Sequence, residues 1–202
     1  MSTDATAVYQ TDETTQRHTF LVGIRLFLAA NTMLMGAFLF AYLYLRANNN
    51  NGMWRPDGIA DLASVPMGII LLLQLACLVV VLGALAAARR GRSARALGGI
   101  AVLLALAAGG MRVWYQYNLG DHATDPPGWV INNGTYTAVT EMWLAVLIVE
   151  ILVGMLWLFT IVLPGPRSAH PLVATRHLRG FAEFWGYMLA VSTFVFLLAR
   201  LV

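Results

Sequence analysis

The stretch Val65-Pro-Met-Gly-Ile-Ile-Leu-Leu-Leu-Gln-Leu-Ala-Cys-Leu-Val-Val-Val-Leu-Gly-Ala-Leu-Ala-Ala-Ala88 decides the fold. It carries no charge, and its only strongly polar side chain is Gln74. A helix needs about 20 mostly apolar residues to cross a bilayer. This run exceeds that length and is apolar on every side, which suits lipid and not a half-exposed globular surface. Four more stretches qualify on either side of it. They are Phe20 to Leu45, Ala96 to Tyr117, Tyr136 to Leu163 and Phe181 to Leu201. None shows the alternation of period two that marks an outer-membrane strand. The expected fold is an all-α integral membrane protein, a bundle of five transmembrane helices over residues 20–202. Residues 1–19 read as a polar tail.

Composition points the same way. Of 202 residues 59% are apolar and 11% charged, and the mean hydropathy is +0.68. Soluble domains carry about 25% charged residues, so this chain cannot cover a globule with polar surface. An ordinary soluble enzyme, a disordered chain and a nucleic-acid binder are excluded, despite a pI near 9.4. All 13 basic residues are Arg. A single cysteine, Cys77, rules out a disulfide framework and any site that needs two thiolates from one chain.

Arginine placement orients the bundle. Arg89, Arg90, Arg92 and Arg95 lie between spans two and three, and Arg167, Arg176 and Arg179 between spans four and five. The opposite side has Arg46 and Arg55 beside Asp57 and Asp61, then Asp121 and Asp125 with no basic residue beyond Arg112. The positive-inside rule places the N-terminus in the cytoplasm and the C-terminus outside. Residues 1–19 lack the basic start and short apolar core of a secretory signal. Trp54, Trp114, Tyr115, Tyr117 and Trp129 fall at or beyond the outer ends, as interfacial anchors do. Turn residues mark the outer loops at Asn48–Gly52, Arg55-Pro56-Asp57-Gly58 and Asp125-Pro126-Pro127-Gly128, while Pro164-Gly165-Pro166 stops span four. Ala101, Ala105 and Gly109, like Gly83 and Ala87, are spaced for close helix packing.

The spans are poor in chemistry. His18, His122, His170 and His177 are all read outside them, so no haem is expected to be held by histidine within this bundle. Cys77 and Ser192 have no intramembrane His partner for nucleophilic catalysis. No phosphate loop or aspartate cluster is present. The remaining polar residues are therefore the candidates. Arg25 lies near the inner end of span one, where it can snorkel to head groups or pair with Glu183. Glu141 and Glu150 share span four but stand nine residues apart, half a turn out of phase at 3.6 residues per turn. They are expected to face opposite neighbours, Glu150 as a protonated, hydrogen-bonded acid at a helix interface or as a proton carrier. Glu183 is read at the start of span five, where a carboxylate favours a helix N-terminus. Asn31 and Thr32 in span one and Gln74 in span two are read as interhelical hydrogen-bonding groups.

Several stretches carry a resemblance. Leu26 to Arg46, LFLAANTMLMGAFLFAYLYLR, resembles the first helix of the five-helix core of cytochrome c oxidase subunit III, at Met33, Ala37, Phe38, Ala41, Tyr42 and Arg46. Trp54-Arg55-Pro56-Asp57-Gly58 looks like that family's Trp-Pro-Pro loop. Tyr115-Gln116-Tyr117 is similar to its Tyr-Glu-Tyr, and Phe184-Trp185-Gly186-Tyr187 stands where it has Tyr-Trp-His-Phe. The likeness covers about residues 20–202. The departures are systematic. Asn31 replaces the family's buried glutamate, Trp143-Leu144-Ala145-Val146 replaces a His-Gly-x-His run, and Gly186, Leu189 and Gln116 replace a His, an Asp and a Glu. The two extra helices of the seven-helix form are not seen.

The resemblance implies a non-catalytic accessory subunit of a haem–copper oxidase-type respiratory complex in the bacterial inner (plasma) membrane. Such a subunit would pack against oxidase subunits I and II, stabilise the redox subunit and hold phospholipid. Haem and copper would belong to those partners, with no cofactor and no nucleic acid bound by this chain. Arg25, Asn31, Gln74, Glu141, Glu150, Glu183 and Trp185 are the expected lipid- or subunit-interface residues. One alternative is the accessory membrane subunit of a nitric oxide reductase, from the same superfamily. Another, of a different class, is a small proton-conducting or transporter bundle using Glu141 and Glu150.

Overall fold

A computed structural model of the chain describes residues 3–49, 54–55, 59, 62–120, 134–163 and 171–200. The described residues form five helices: α1 (Thr3–Ala47), α2 (Ser64–Arg89), α3 (Arg95–Gly120), α4 (Thr135–Val162) and α5 (Pro171–Arg200). Each contains a stretch long and apolar enough to cross a membrane, so this is a multi-pass membrane chain. The shortest have 26 residues, about 39 Å at 1.5 Å per residue, against a hydrocarbon core of about 30 Å.

Two helices outrun their apolar stretches. The polar residues 3–19 are helical and continue into α1. They hold no Gly or Pro, so nothing in the backbone stops the helix there, while their polarity hides it from hydropathy. Likewise α5 starts ten residues ahead of Phe181, at Pro171. Proline suits a first helical position because its missing N–H has no intrahelical acceptor there anyway. As a result His18 and His177 lie within membrane-length helices and not outside the spans. His170 and His122 lie outside the described residues. The stops are local. Gly91, at φ +68°, turns the chain after α2 in the left-handed region that glycine adopts without strain. Leu163 is extended, as befits a residue before proline.

Helices α2, α3, α4 and α5 form a closed ring in which each touches its two neighbours, and α1 lies outside it against α4 and α5. Small residues set the spacing in the ring. Ala101 and Ala105 are fully buried, and the Cys77 thiol of α2 points at the Ala101 carbonyl, 3.4 Å away. A methyl on Gly109 would run into Met155 and Ile151 of α4. The small-residue stripe on α3 thus packs within the bundle. Two directional bonds tie α5 in. The Trp185 indole donates to the Gln74 carbonyl at 3.0 Å, and the Tyr136 hydroxyl donates to the Ala199 carbonyl at 3.0 Å.

The aromatic residues expected as anchors divide. Trp114 and Tyr117 are exposed, whereas Trp54 and Tyr115 are buried. Trp54 packs edge-on against Tyr42 and Tyr136, with ring centroids 4.9 and 5.7 Å away, and its carbonyl accepts the Tyr136 N–H at 2.9 Å. Tyr115 accepts the Ala63 N–H at 2.9 Å. Both close, from inside, the end of the bundle where α1 finishes and α2 begins. Trp129 lies outside the described residues.

Candidate functional site

Four polar side chains of the spans gather where α1 meets α4 and α5. Asn31 is thirteen residues into the span His18–Ala47, and Glu150 fifteen residues into the span Thr135–Val162, so each lies about 20 Å from the start of its span at 1.5 Å per residue. Both are buried, at 6% and 8% exposure. The Asn31 carboxamide lies beside the Glu150 carboxyl, but no hydrogen bond closes between them. Both polar atoms of Asn31 and Oε2 of Glu150 are left without a partner. Thr32 donates to its own helix at the Leu28 carbonyl, 2.8 Å away. Its oxygen also lies 3.3 Å from the Tyr187 hydroxyl of α5, which is in electrostatic reach of Glu150. One amide, one carboxyl and two hydroxyls from three helices therefore share mid-membrane depth. An unmet buried polar atom costs about 1–3 kcal/mol, so this cluster favours any rearrangement or ligand that completes its hydrogen bonds.

Glu141 faces the other way. It is half-buried beside Gln116 of α3, and Glu141 Oε2 and Gln116 Oε1 are both unpartnered. The half-turn offset holds: the two glutamates address opposite neighbours and do not form a carboxylate pair.

The other expected residues disperse. Both side-chain atoms of Gln74 lack a partner; its backbone carbonyl makes the interhelical bond in their place, because Trp185 reaches the helix edge. Glu183 stands twelve residues into α5 and not at its N-terminus, so the helix dipole does not act on it. It pairs with Arg179 one turn back at 3.2 Å, not with Arg25, which is exposed. Trp185 is buried against Phe181, rings stacked 5.3 Å apart. His177 is half-buried, its ring 4.7 Å from Phe20 and its Nδ1 3.5 Å from the Trp157 indole nitrogen. Among the described residues no three His, Cys, Asp or Glu side chains converge as metal ligands.

Two residues were not among the site candidates read from the sequence. Tyr187 carries no signal in isolation. Arg112 does: it lies eight residues before the end of α3 and is 1% exposed. Its Nη1 lies 3.7 Å from the Met67 sulfur, and its Nε and Nη2 have no partner. An arginine at that depth could have been singled out as an intramembrane charge.

No protein-family model matches the chain, and no curated protein matches its sequence.

Proposed function

We propose that the chain is a non-catalytic accessory subunit of a haem–copper oxidase-type respiratory complex. The observation that carries this reading is where the family-like residues lie. Tyr42, Trp54, Tyr115 and Trp185, drawn from the four stretches that resemble subunit III, are each buried at the joints between helices. The likeness thus falls on the packing plan, while the positions at which the family carries ionisable groups hold Asn31, Gln116, Gly186 and Leu189. Glu150 supplies a carboxyl next to Asn31, from α4 instead of α1. In this reading haem and copper sit in partner subunits, the N-terminus and the arginine-rich turns face the cytoplasm, and the membrane is the bacterial inner membrane. Leu26, Met33, Phe40 and Tyr44, exposed on α1, offer an apolar face to a redox subunit or to lipid.

The test is purification of the tagged chain from its native membrane in mild detergent. The expected result is co-migration with haem-bearing polypeptides and a haem spectrum in the same peak. A chain that migrates alone, beside an oxidase that is intact without it, overturns the proposal.

A further inference from the structure

At the arginine-rich end of the bundle the α2–α3 turn, the end of α4 and the first turns of α5 enclose a cavity of about 410 Å³, within the range of ordinary small-ligand sites. Its walls are of two kinds. Ala88, Ala94, Ile161, Val162 and Leu178 form an apolar floor, and Gly91, Arg92, Ser93 and Arg95 a polar rim. Among the described residues that line it, none is acidic. The turn that makes the cavity depends on Gly91, whose positive φ folds the chain back within a few residues and stands Arg92 and Arg95 over the floor. Arg95 also opens α3, so the positive end of that helix dipole lies in the same wall. The cavity sits where the apolar spans give way to charge, the depth of a lipid head group.

We infer that this cavity binds an anionic phospholipid, its phosphate held by Arg92, Arg95 and the start of α3 and its first acyl methylenes laid on Ile161, Val162 and Leu178. Basic pockets between transmembrane helices hold anionic head groups by this combination. A free phosphate would satisfy the rim and leave the floor wet. A zwitterionic lipid would fill the floor and gain less from the rim, since its own cation opposes the two guanidiniums. The inference needs only membrane insertion, so its failure would leave the accessory-subunit reading standing.

The experiment uses the full chain, purified and delipidated in detergent, with native mass spectrometry and thermal unfolding as readouts. Phosphatidylglycerol, phosphatidylcholine and inorganic phosphate are added separately. The expected result is one phosphatidylglycerol retained per chain and a raised melting temperature, neither reproduced by the other two. Arg92→Gln with Arg95→Gln, at exposed positions, should weaken retention at least tenfold with helix content unchanged. Ala94→Phe, which fills the floor while keeping the charge, should do the same. Equal retention of phosphatidylcholine, full stabilisation by phosphate alone, or wild-type retention in either variant overturns the inference.

Discussion

Replacing Gly154 with alanine tests how tightly α5 is seated on α4. A Cβ at that position would stand 2.8 Å from Cε1 of Phe184 and 3.1 and 3.2 Å from two ring carbons of Trp185. Carbon atoms are comfortable at ~3.5 Å or more, so the nearest contact falls short by about 0.7 Å. Neither ring is free to yield. Trp185 is pinned by its bond to the Gln74 carbonyl and stacked on Phe181, and Phe184 lies against Trp157 and Phe27. Overpacking of this kind costs about 1–3 kcal/mol. Alanine also gains ~1 kcal/mol over glycine in helix propensity, which partly hides the clash. Gly110→Ala on α3 is the control, since a methyl there meets nothing within 4 Å and earns the same propensity. The stability difference between the two variants should therefore be about 1–3 kcal/mol, with Gly154→Ala the weaker. Unfolding in mixed micelles by titration with dodecyl sulfate, read by tryptophan fluorescence and far-ultraviolet dichroism, measures it. Equal midpoints, or a more stable Gly154→Ala, would refute the claim that the two rings are held in place.

Three further outcomes are expected. A double-mutant cycle with Asn31→Leu and Glu150→Leu should give a coupling of about 0.5–1.5 kcal/mol, the range of interhelical polar pairs in membranes; additive effects would mean that the two side chains do not interact. Arg112→Met removes a buried guanidinium that, among the described residues, reaches a thioether and leaves Nε and Nη2 unpartnered, so the isolated chain should gain roughly 1–3 kcal/mol; a loss on the same titration would reveal a partner for the charge. Cys77, fully buried, should resist a membrane-permeant maleimide in the folded chain and react once dodecyl sulfate unfolds it; fast labelling in the native state would contradict its place between α2 and α3.

What the sequence made legible depended on the kind of signal. Hydropathy located all five spans, because lipid imposes one long apolar run per crossing. It missed residues 3–19 and the first turns of α5, since a helix in water is not apolar. The 3.6-residue period placed Glu141 and Glu150 on opposite faces without any structure. It could not say that one would meet Gln116 and the other Asn31, because that follows from the order of helices around the ring. Trp54 and Tyr115 read as anchors because aromatic residues near a span end look alike whether they point outward to head groups or inward to a packing joint. Arg112 read as a rim charge for the same reason: distance along a helix gives depth, and burial depends on the neighbours.

The attachment of α1 shows what holds such a bundle together. Among its described side chains, buried Asn31, Met35 and Tyr42 form one narrow strip, flanked by half-buried Leu28, Phe38, Leu39 and Leu45, while Leu26, Met33, Phe40 and Tyr44 are exposed. In water that arrangement would drive the helix into further burial. In lipid it does not, because acyl chains are as apolar as leucine and exposing such side chains to them costs nothing. Specific contacts must then fix the helix, and they occur at successive levels along it. Thr32 and Asn31 meet Tyr187 and Glu150 at mid-depth. One turn further along, the Trp143 indole donates to the Met35 sulfur at 2.9 Å. Near the C-terminal end of α1 Tyr42 packs against Trp54 and Tyr136. The Thr32, Met35 and Tyr42 contacts are directional and lie on or beside the strip, so the rotation of α1 is set without using its opposite face. That face stays available to lipid or to another membrane protein.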